Sequence, residues 1–107
     1  MSKLFVYGTL KRGYHNNYML KDSQYVGNWN LPPNYTMLNL GSYPGVVPGG
    51  NTPVRGEVWE VSEEVLKRLD QFEGHPHLFK RVPVDDDIEM YLYQHSPIID
   101  SGLWTRE

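Results

Sequence analysis

The stretch KLFVYGTLKRG, residues 3–13, joins a short apolar run to a glycine, a hydroxyl residue and a basic pair. Its first half, residues 3–7, is typical of a strand that is buried on both faces. Gly8 at the end of this strand permits backbone conformations closed to other residues and lets a ligand approach the main chain. The amides of Gly8, Thr9 and Leu10 are then able to meet a carboxylate or a developing oxyanion. A strand that simply ends in a glycine turn is the commoner explanation of such a stretch taken alone.

Further strand-like runs lie unevenly along the rest of the chain. They are QYVGNW at 24–29, YTMLNL at 35–40, VRGEVWEV at 54–61, RVPV at 81–84 and IEMYLY at 88–93. In VRGEVWEV, Val54, Gly56 and Val58 alternate with Arg55, Glu57 and Trp59, which is typical of a strand. With the first run these segments make about six strands, enough for a small closed or partly closed sheet.

A cluster of glycine and proline, GSYPGVVPGGNTP at 41–53, interrupts the strand pattern. It lies between short strands in a small chain, so it predicts a long loop over one end of the sheet, and loops of this length are often functional. The 107 residues of the chain are enough for one buried core but not for a second. We therefore expect a single domain, residues 1–107.

The composition excludes several classes of protein. The net charge is −3 and no basic block occurs, so nucleic acid is not an expected partner. The absence of cysteine excludes disulfides, thiolate nucleophiles and cysteine-type zinc sites. No apolar run has the length of a signal-peptide core or of a membrane span, so we expect no membrane partner and a cytoplasmic location. A monomer is the default expectation.

Two segments have helical character. HNNYMLKDS at 15–23 is a weak, short candidate, whereas SEEVLKRLDQFEG at 62–74 is the strongest local signal in the chain. Ser62 is a favourable N-cap, acidic residues follow it at the positive end of the helix dipole, and Gly74 is a natural residue to follow the helix. The buried face is predicted from apolar residues at helical spacing, Val65, Leu66, Leu69 and Phe72.

Glu73 falls on the same face of the predicted helix, seven residues after Leu66 and four after Leu69. A carboxylate on an inward face, at the helix end that disfavours negative charge, should have a raised pKa. Such a group can take and return a proton near neutral pH, as a general base must. A structural ion pair places carboxylates in the same way, so the helix alone only suggests a catalytic role. Asp70, at the edge of this face, is expected to make a structural hydrogen bond or ion pair that orients a loop.

Other kinds of site have weaker support. His75 and His77 bracket a proline, but this spacing lacks a third fixed ligand and is a poor zinc signature, so we expect no metal and instead a polar loop near a pocket mouth. A serine or threonine nucleophile is equally unsupported: no GxSxG occurs, and Thr9 has no evident base except Glu73.

Taken together, these segments resemble the γ-glutamylcyclotransferase-like family, and especially its γ-glutamylaminecyclotransferase branch. The resemblance lies in FVYGTLKRG at 5–13, YPGVVPGG at 43–50, VRGEVWEV at 54–61, LDQFEG at 69–74 and HLFKR at 77–81. It implies an α+β fold in which a small, mostly antiparallel β-barrel of about six strands is flanked by short helices, with a pocket at the end of the first strand.

The resemblance also implies roles for particular residues. Tyr7, Gly8, Thr9 and Leu10 would form the loop that cradles a γ-glutamyl group, and Glu73 would be the catalytic glutamate. The implied reaction is attack of the substrate's α-amine on its own γ-carbonyl, which releases 5-oxoproline and an amine or amino acid such as lysine. Glu73 would move the protons and the loop amides would stabilise the oxyanion. The only partner implied is the small-molecule substrate, and no cofactor is needed.

The chain departs from the family pattern in two places. Many relatives carry a tyrosine where this chain has Phe79, and the tail HSPIIDSGLWTRE at 95–107 is short. The leaving group is therefore open: γ-glutamyl amino acids or glutathione-like peptides are alternative substrates, as is a γ-glutamyl protecting group in a biosynthetic pathway. A non-catalytic binding module on the same fold is the alternative of another class. Residues 41–53 are the candidate specificity loop, and candidates for the leaving-group side are Tyr18, Tyr43 and Trp104.

Overall fold

The structure of the protein is a computed structural model that describes residues 1–95. In chain order its elements are β1 (Ser2–Val6), a 3₁₀ helix (Asn17–Leu20), β2 (Gln24–Asn30), β3 (Tyr35–Asn39), β4 (Pro44–Pro48), β5 (Arg55–Val61), α1 (Glu63–Glu73), β6 (Phe79–Asp85) and β7 (Ile88–Tyr93). The predicted α+β class is confirmed, and the weak helical candidate at 15–23 forms only the 3₁₀ helix. Of the helices in the described part of the chain, none is long and apolar enough to cross a membrane.

Five strands form one sheet in the order β2-β5-β1-β7-β6. β1 lies at its centre, antiparallel to β5 and parallel to β7. Leu4 and Val6 of β1 pack into one apolar cluster and Phe5 packs into a second, all three almost fully buried. The strand at 3–7 that was predicted to be buried on both faces is confirmed in this way.

The predicted barrel is wrong for the part of the chain described, because the sheet does not close. β2 and β6 are its two open edges, and β3 and β4 pair only with each other in a separate two-stranded sheet. Two of the five residues of β4, Pro44 and Pro48, lack an amide hydrogen, so this strand is poorly suited to extend a ladder on its outer edge.

β4 itself is a strand that the sequence did not reveal, because it lies within the segment predicted to be a long loop. Its prolines sit at the two ends of the ladder, opposite Tyr35 and Asn39, where a missing donor matters least. Val46 and Val47 between them are fully buried. The long loop at 41–53 is therefore two short connections that flank a strand.

The helix prediction is confirmed at both ends. The Ser62 hydroxyl accepts a hydrogen bond from the Val65 amide at 3.2 Å, and Gly74 adopts the left-handed conformation with φ 68°. Val65, Leu66 and Leu69 are buried as expected, but Phe72 is 47% exposed, because in the last turn of the helix it lines a cavity and does not join the core. That last turn instead borders a cavity.

Candidate active site

The ends of β1 and α1 and the start of β4 border a cavity of about 340 Å³. The residues predicted to form the site, Tyr7, Gly8, Thr9, Leu10 and Glu73, all line it. Apart from Glu73 its walls are mostly aromatic and aliphatic side chains. Two segments 63 or more residues apart in the chain therefore meet at one mostly apolar pocket.

Glu73 is the last residue of α1, and the helix ends there because Gly74 turns the chain away. Burial raises the pKa of the Glu73 carboxyl to about 7. Among residues 1–95, no hydrogen bond or ion pair reaches this carboxyl group. Glu73 is therefore poised to exchange a proton near neutral pH, and the structural ion pair considered from the sequence is not present in the described residues.

The hydroxyl of Tyr7 is already engaged by the protein. It donates a hydrogen bond to the Tyr91 carbonyl at 2.7 Å and accepts one from the Val46 amide at 3.3 Å. Burial raises the pKa of the Tyr7 phenol above its usual range, a shift that the Val46 hydrogen bond opposes and the charge of Glu73 increases. Tyr7 thus joins β1, β4 and β7 beneath the cavity, and its hydroxyl stays neutral.

The loop that follows β1 is held by its carbonyls and side chains. The Gly8 carbonyl accepts from the Lys11 amide at 3.2 Å, and the Leu10 carbonyl accepts from the Asn17 side chain at 2.7 Å. Asn16 binds Thr9 twice, from its amide to the carbonyl at 3.1 Å and from its side chain to the hydroxyl at 2.9 Å. Within residues 1–95 the amides of Gly8, Thr9 and Leu10 have no acceptor, so they are available for an anionic or partly charged oxygen.

Gly8 is required here for space rather than for an unusual backbone conformation. Glycines with positive φ occur elsewhere, at Gly13 and Gly74 among others, whereas Gly8 is not one of them. A Cβ at Gly8 would lie 3.1 Å from the Pro44 ring, closer than side chains normally pack. The expected conformational freedom of Gly8 is thus wrong; the group that lies close to its main chain is the Pro44 ring, and the approach of a ligand stays a prediction.

Glu57 lines neither cavity but holds the loop after β1, a role that the sequence did not reveal. It is 8% exposed in β5, and its carboxylate accepts from the Arg12 amide at 3.0 Å and from the Trp59 indole at 3.1 Å. The Arg12 guanidinium lies 3.4 Å from the same carboxylate. Glu57 therefore anchors the far end of the loop to the central sheet. Glu57 falls between Arg55 and Trp59 in the alternating run VRGEVWEV, and nothing local in that run signals its burial.

Asp70 makes the structural ion pair predicted for it. Its two carboxylate oxygens accept from Arg81 at 3.0 and 2.9 Å, and Oδ1 also accepts from the Tyr91 hydroxyl at 2.6 Å. Burial by itself would raise the pKa of Asp70, but the hydrogen bonds from Arg81 and Tyr91 outweigh it and hold the pKa below its usual value. Asp70 thereby ties the last turns of α1, and with them Glu73, to β6 and β7.

Of the other residues singled out from the sequence, some lie at the cavity and others do not. Tyr43 lines the cavity, but Tyr18 is 67% exposed and does not, and Trp104 lies outside the described residues. His75 accepts a hydrogen bond from the Arg81 amide at 3.0 Å, so one nitrogen of its ring is engaged within the protein. Phe79, which stands where many relatives are expected to carry tyrosine, is buried against the rings of Tyr43 and Tyr93.

The chain is similar to known proteins over most of its length. The model of the family described as gamma-glutamyl cyclotransferase, AIG2-like, matches residues 4–106. A relative from Vibrio cholerae is 38% identical over 108 residues, which cover 94% of this chain and 93% of that protein.

Two mammalian proteins are similar as well. A gamma-glutamylaminecyclotransferase from Rattus norvegicus is 34% identical over 90 residues, which cover 76% of this chain and 60% of that protein. The crystal structure of an AIG2-like protein from Mus musculus superimposes with a TM-score of 0.77 at 28% identity, covering 90% of this chain and 78% of that one. The cavity between the first strand and the helix end thus lies in a chain that belongs to the gamma-glutamyl cyclotransferase, AIG2-like family of enzymes.

Proposed function

We propose that this protein is a γ-glutamyl amine cyclotransferase that cleaves a γ-glutamyl amide by intramolecular attack and releases 5-oxoproline. The observation that carries the proposal is the meeting, in one apolar cavity, of a carboxyl group with a pKa near 7 and a loop of unoccupied backbone amides. The name of the rat relative supports the amine-releasing branch, with an amino acid such as lysine as one leaving group.

The proposed reaction needs a proton to leave the substrate's α-ammonium group. The Glu73 carboxylate accepts that proton, and the resulting amine attacks the γ-carbonyl carbon to form a five-membered ring. Protonated Glu73 then delivers its proton to the leaving nitrogen, and the bond from carbon to that nitrogen breaks. The ring nitrogen gives its second proton to the Glu73 carboxylate, which passes it to the released amine. The products are 5-oxoproline and a free amine that carries both protons, so no water is consumed.

The loop supplies electrostatic stabilisation in this scheme. Attack places a negative charge on the γ-carbonyl oxygen, and amides of Gly8, Thr9 and Leu10 are the donors available to it or to the substrate's carboxylate. Because the nucleophile and the electrophile belong to one substrate molecule, holding that substrate in a bent conformation supplies much of the rate acceleration.

The test is 5-oxoproline release from γ-glutamyl-ε-lysine, simple γ-glutamylamines, γ-glutamyl-α-amino acids and glutathione. Wild-type protein is compared with Glu73→Gln, which keeps the shape of the side chain, and with Glu64→Gln, which changes an exposed glutamate on the same helix. We expect release by wild type and by Glu64→Gln, and a loss of at least about 100-fold in Glu73→Gln. Full activity of Glu73→Gln would overturn the role of this residue, and a folded wild type that is silent on every substrate would favour a non-catalytic binding module.

A further inference from the structure

A second cavity lies beside the first, on the other side of the loop after β1. It measures about 490 Å³ and lies between that loop and the β3–β4 hairpin. The two cavities share part of their walls, formed by Tyr7, Gly8, Thr9, Ser42, Tyr43 and Pro44. The two cavities therefore adjoin at Gly8 and Thr9, where the reacting carbonyl of the proposed substrate lies.

The lining of the second cavity contains one charged side chain from the described residues, Lys11. Its Nζ lies 4.8 Å from the centre of the Tyr14 ring, and Tyr14 lines the same cavity. This cation–π contact holds the ammonium group at the cavity wall. No ion pair joins Lys11 to a carboxylate within residues 1–95, so its charge is available to a ligand.

The neighbouring basic residue is differently placed. Arg12 lies 3.4 Å from the Glu57 carboxylate and stacks 3.7 Å from the centre of the Tyr25 ring. Its charge is therefore used within the protein, on the side of the loop that faces β5. Of the basic pair in KLFVYGTLKRG, one residue fixes the loop and the other presents its charge to the second cavity.

We propose that the second cavity receives the leaving group and that Lys11 selects leaving groups that carry a carboxylate, such as amino acids or peptides, over simple amines. This inference rests on the proposed function, because it needs a γ-glutamyl group in the first cavity. In a substrate of this class the α-ammonium faces Glu73 in the first cavity, and the carboxylate of the leaving group faces Lys11 in the second. A carboxylate lies in favourable Coulomb contact with the ammonium group, whereas a neutral amide gains little from it.

The test uses substrates that differ in one charge. γ-Glutamylglycine is compared with γ-glutamylglycinamide, and γ-glutamyl-4-aminobutyrate with its amide, so that a short and a longer leaving group are both sampled. The proteins are wild type, Lys11→Gln, Lys11→Glu and a matched control, Lys80→Gln, whose lysine is exposed on β6 outside both cavities. The quantity measured is the ratio of kcat/KM for the acid to kcat/KM for the amide.

We expect wild type and Lys80→Gln to prefer the acid in at least one pair. Lys11→Gln should lower that ratio by about five-fold, the effect of one partly exposed charge pair, and Lys11→Glu should lower it further. Equal losses on acid and amide, or an unchanged ratio in both Lys11 variants, would overturn the role of Lys11 while 5-oxoproline release leaves the proposed function intact. No release from any substrate by wild type would overturn the proposed function and this inference together.

Discussion

At the level of single residues, the proton affinity of Glu73 determines when the proposed base can work. Its carboxyl group must be ionised to accept the first proton, and burial raises its pKa to about 7. We therefore expect kcat/KM to rise as pH increases through about 7, well above the range in which an exposed glutamate titrates. A pH–rate profile of 5-oxoproline release measures this, and an ascending limb centred near the pKa of an exposed glutamate would contradict it.

The same raised pKa has a consequence for stability. A group with a folded pKa above its unfolded value stabilises the protein below the unfolded pKa, and this contribution is lost as pH rises through the folded pKa. Above about pH 7 ionised Glu73 is thus a cost to folding, and Glu73→Gln should raise the free energy of unfolding there, on the order of 2 kcal/mol. At pH 4 both side chains are neutral and the difference should vanish. Urea unfolding at pH 4 and pH 8 is the measurement, and a gain that is equal at both values would show that charge is not its cause.

Glu57 is expected to act as a positioning residue, through the loop after β1. Glu57→Gln removes the charge that holds the Arg12 amide and guanidinium, so the loop amides should lose their fixed arrangement. We expect kcat/KM to fall about ten-fold, with the midpoint of the pH profile unchanged because Glu73 is untouched. Glu60→Gln, three residues further along the same strand, is the control. A shifted pH midpoint, or equal losses in both variants, would argue against a positioning role.

At the level of elements, the ion pair of Asp70 and Arg81 links α1 to β6. Asp70→Asn leaves the guanidinium with a weaker partner and should destabilise the fold by about 1–3 kcal/mol at pH 7. Because the folded pKa of Asp70 is lowered, this contribution is present above the unfolded pKa and is lost as pH falls through the folded value. Thermal unfolding at pH 7 and pH 3 should therefore show a gap between the two proteins that narrows in acid. A constant gap would assign the loss to packing instead.

The elements also show how far the sequence could be interpreted. The helix was predictable because its signals are local: Ser62 caps its own first turn, and Gly74 ends it through its own φ angle. β4 was not, because a strand bounded by Pro44 and Pro48 is recognised only from its partner β3 and from the buried core that covers Val46 and Val47.

In β5 the sequence pattern predicts a strand but not which of its residues are buried. Alternation along VRGEVWEV is typical of a strand with one buried face, yet Glu57, Val58 and Trp59 are all buried. Trp59 packs into one apolar cluster and Val58 into the other, so both faces of β5 are covered. The contact between Glu57 and Arg12 spans 45 positions in the chain. No local pattern reports such a contact, so the residue that fixes the candidate site at its far end was visible only in the fold.

At the level of the whole molecule, the candidate site is a junction between distant parts of the chain. The segment at 7–10 and Glu73 belong to different elements, and the β3–β4 hairpin, which does not join the main sheet, closes the space beside them. These segments line one cavity although the sheet of residues 1–95 does not close, because the cavity depends on the end of β1 and the end of α1 and not on closure of the sheet. The expected monomer stays a prediction.

A ligand at such a junction should stabilise the entire fold. 5-Oxoproline would contact the loop after β1 and the end of α1 at once, and the unfolded chain offers it neither, so binding should raise the free energy of unfolding by about 2.7 kcal/mol at 100 times Kd. Thermal unfolding at increasing 5-oxoproline concentration measures the shift. Gly8→Ala, whose added Cβ would lie 3.1 Å from the Pro44 ring, should disturb the loop and reduce the shift, whereas Gly27→Ala, where an added Cβ meets no atom within 4 Å, should keep it. An equal shift in both variants would mean that the ligand does not bind at the end of β1.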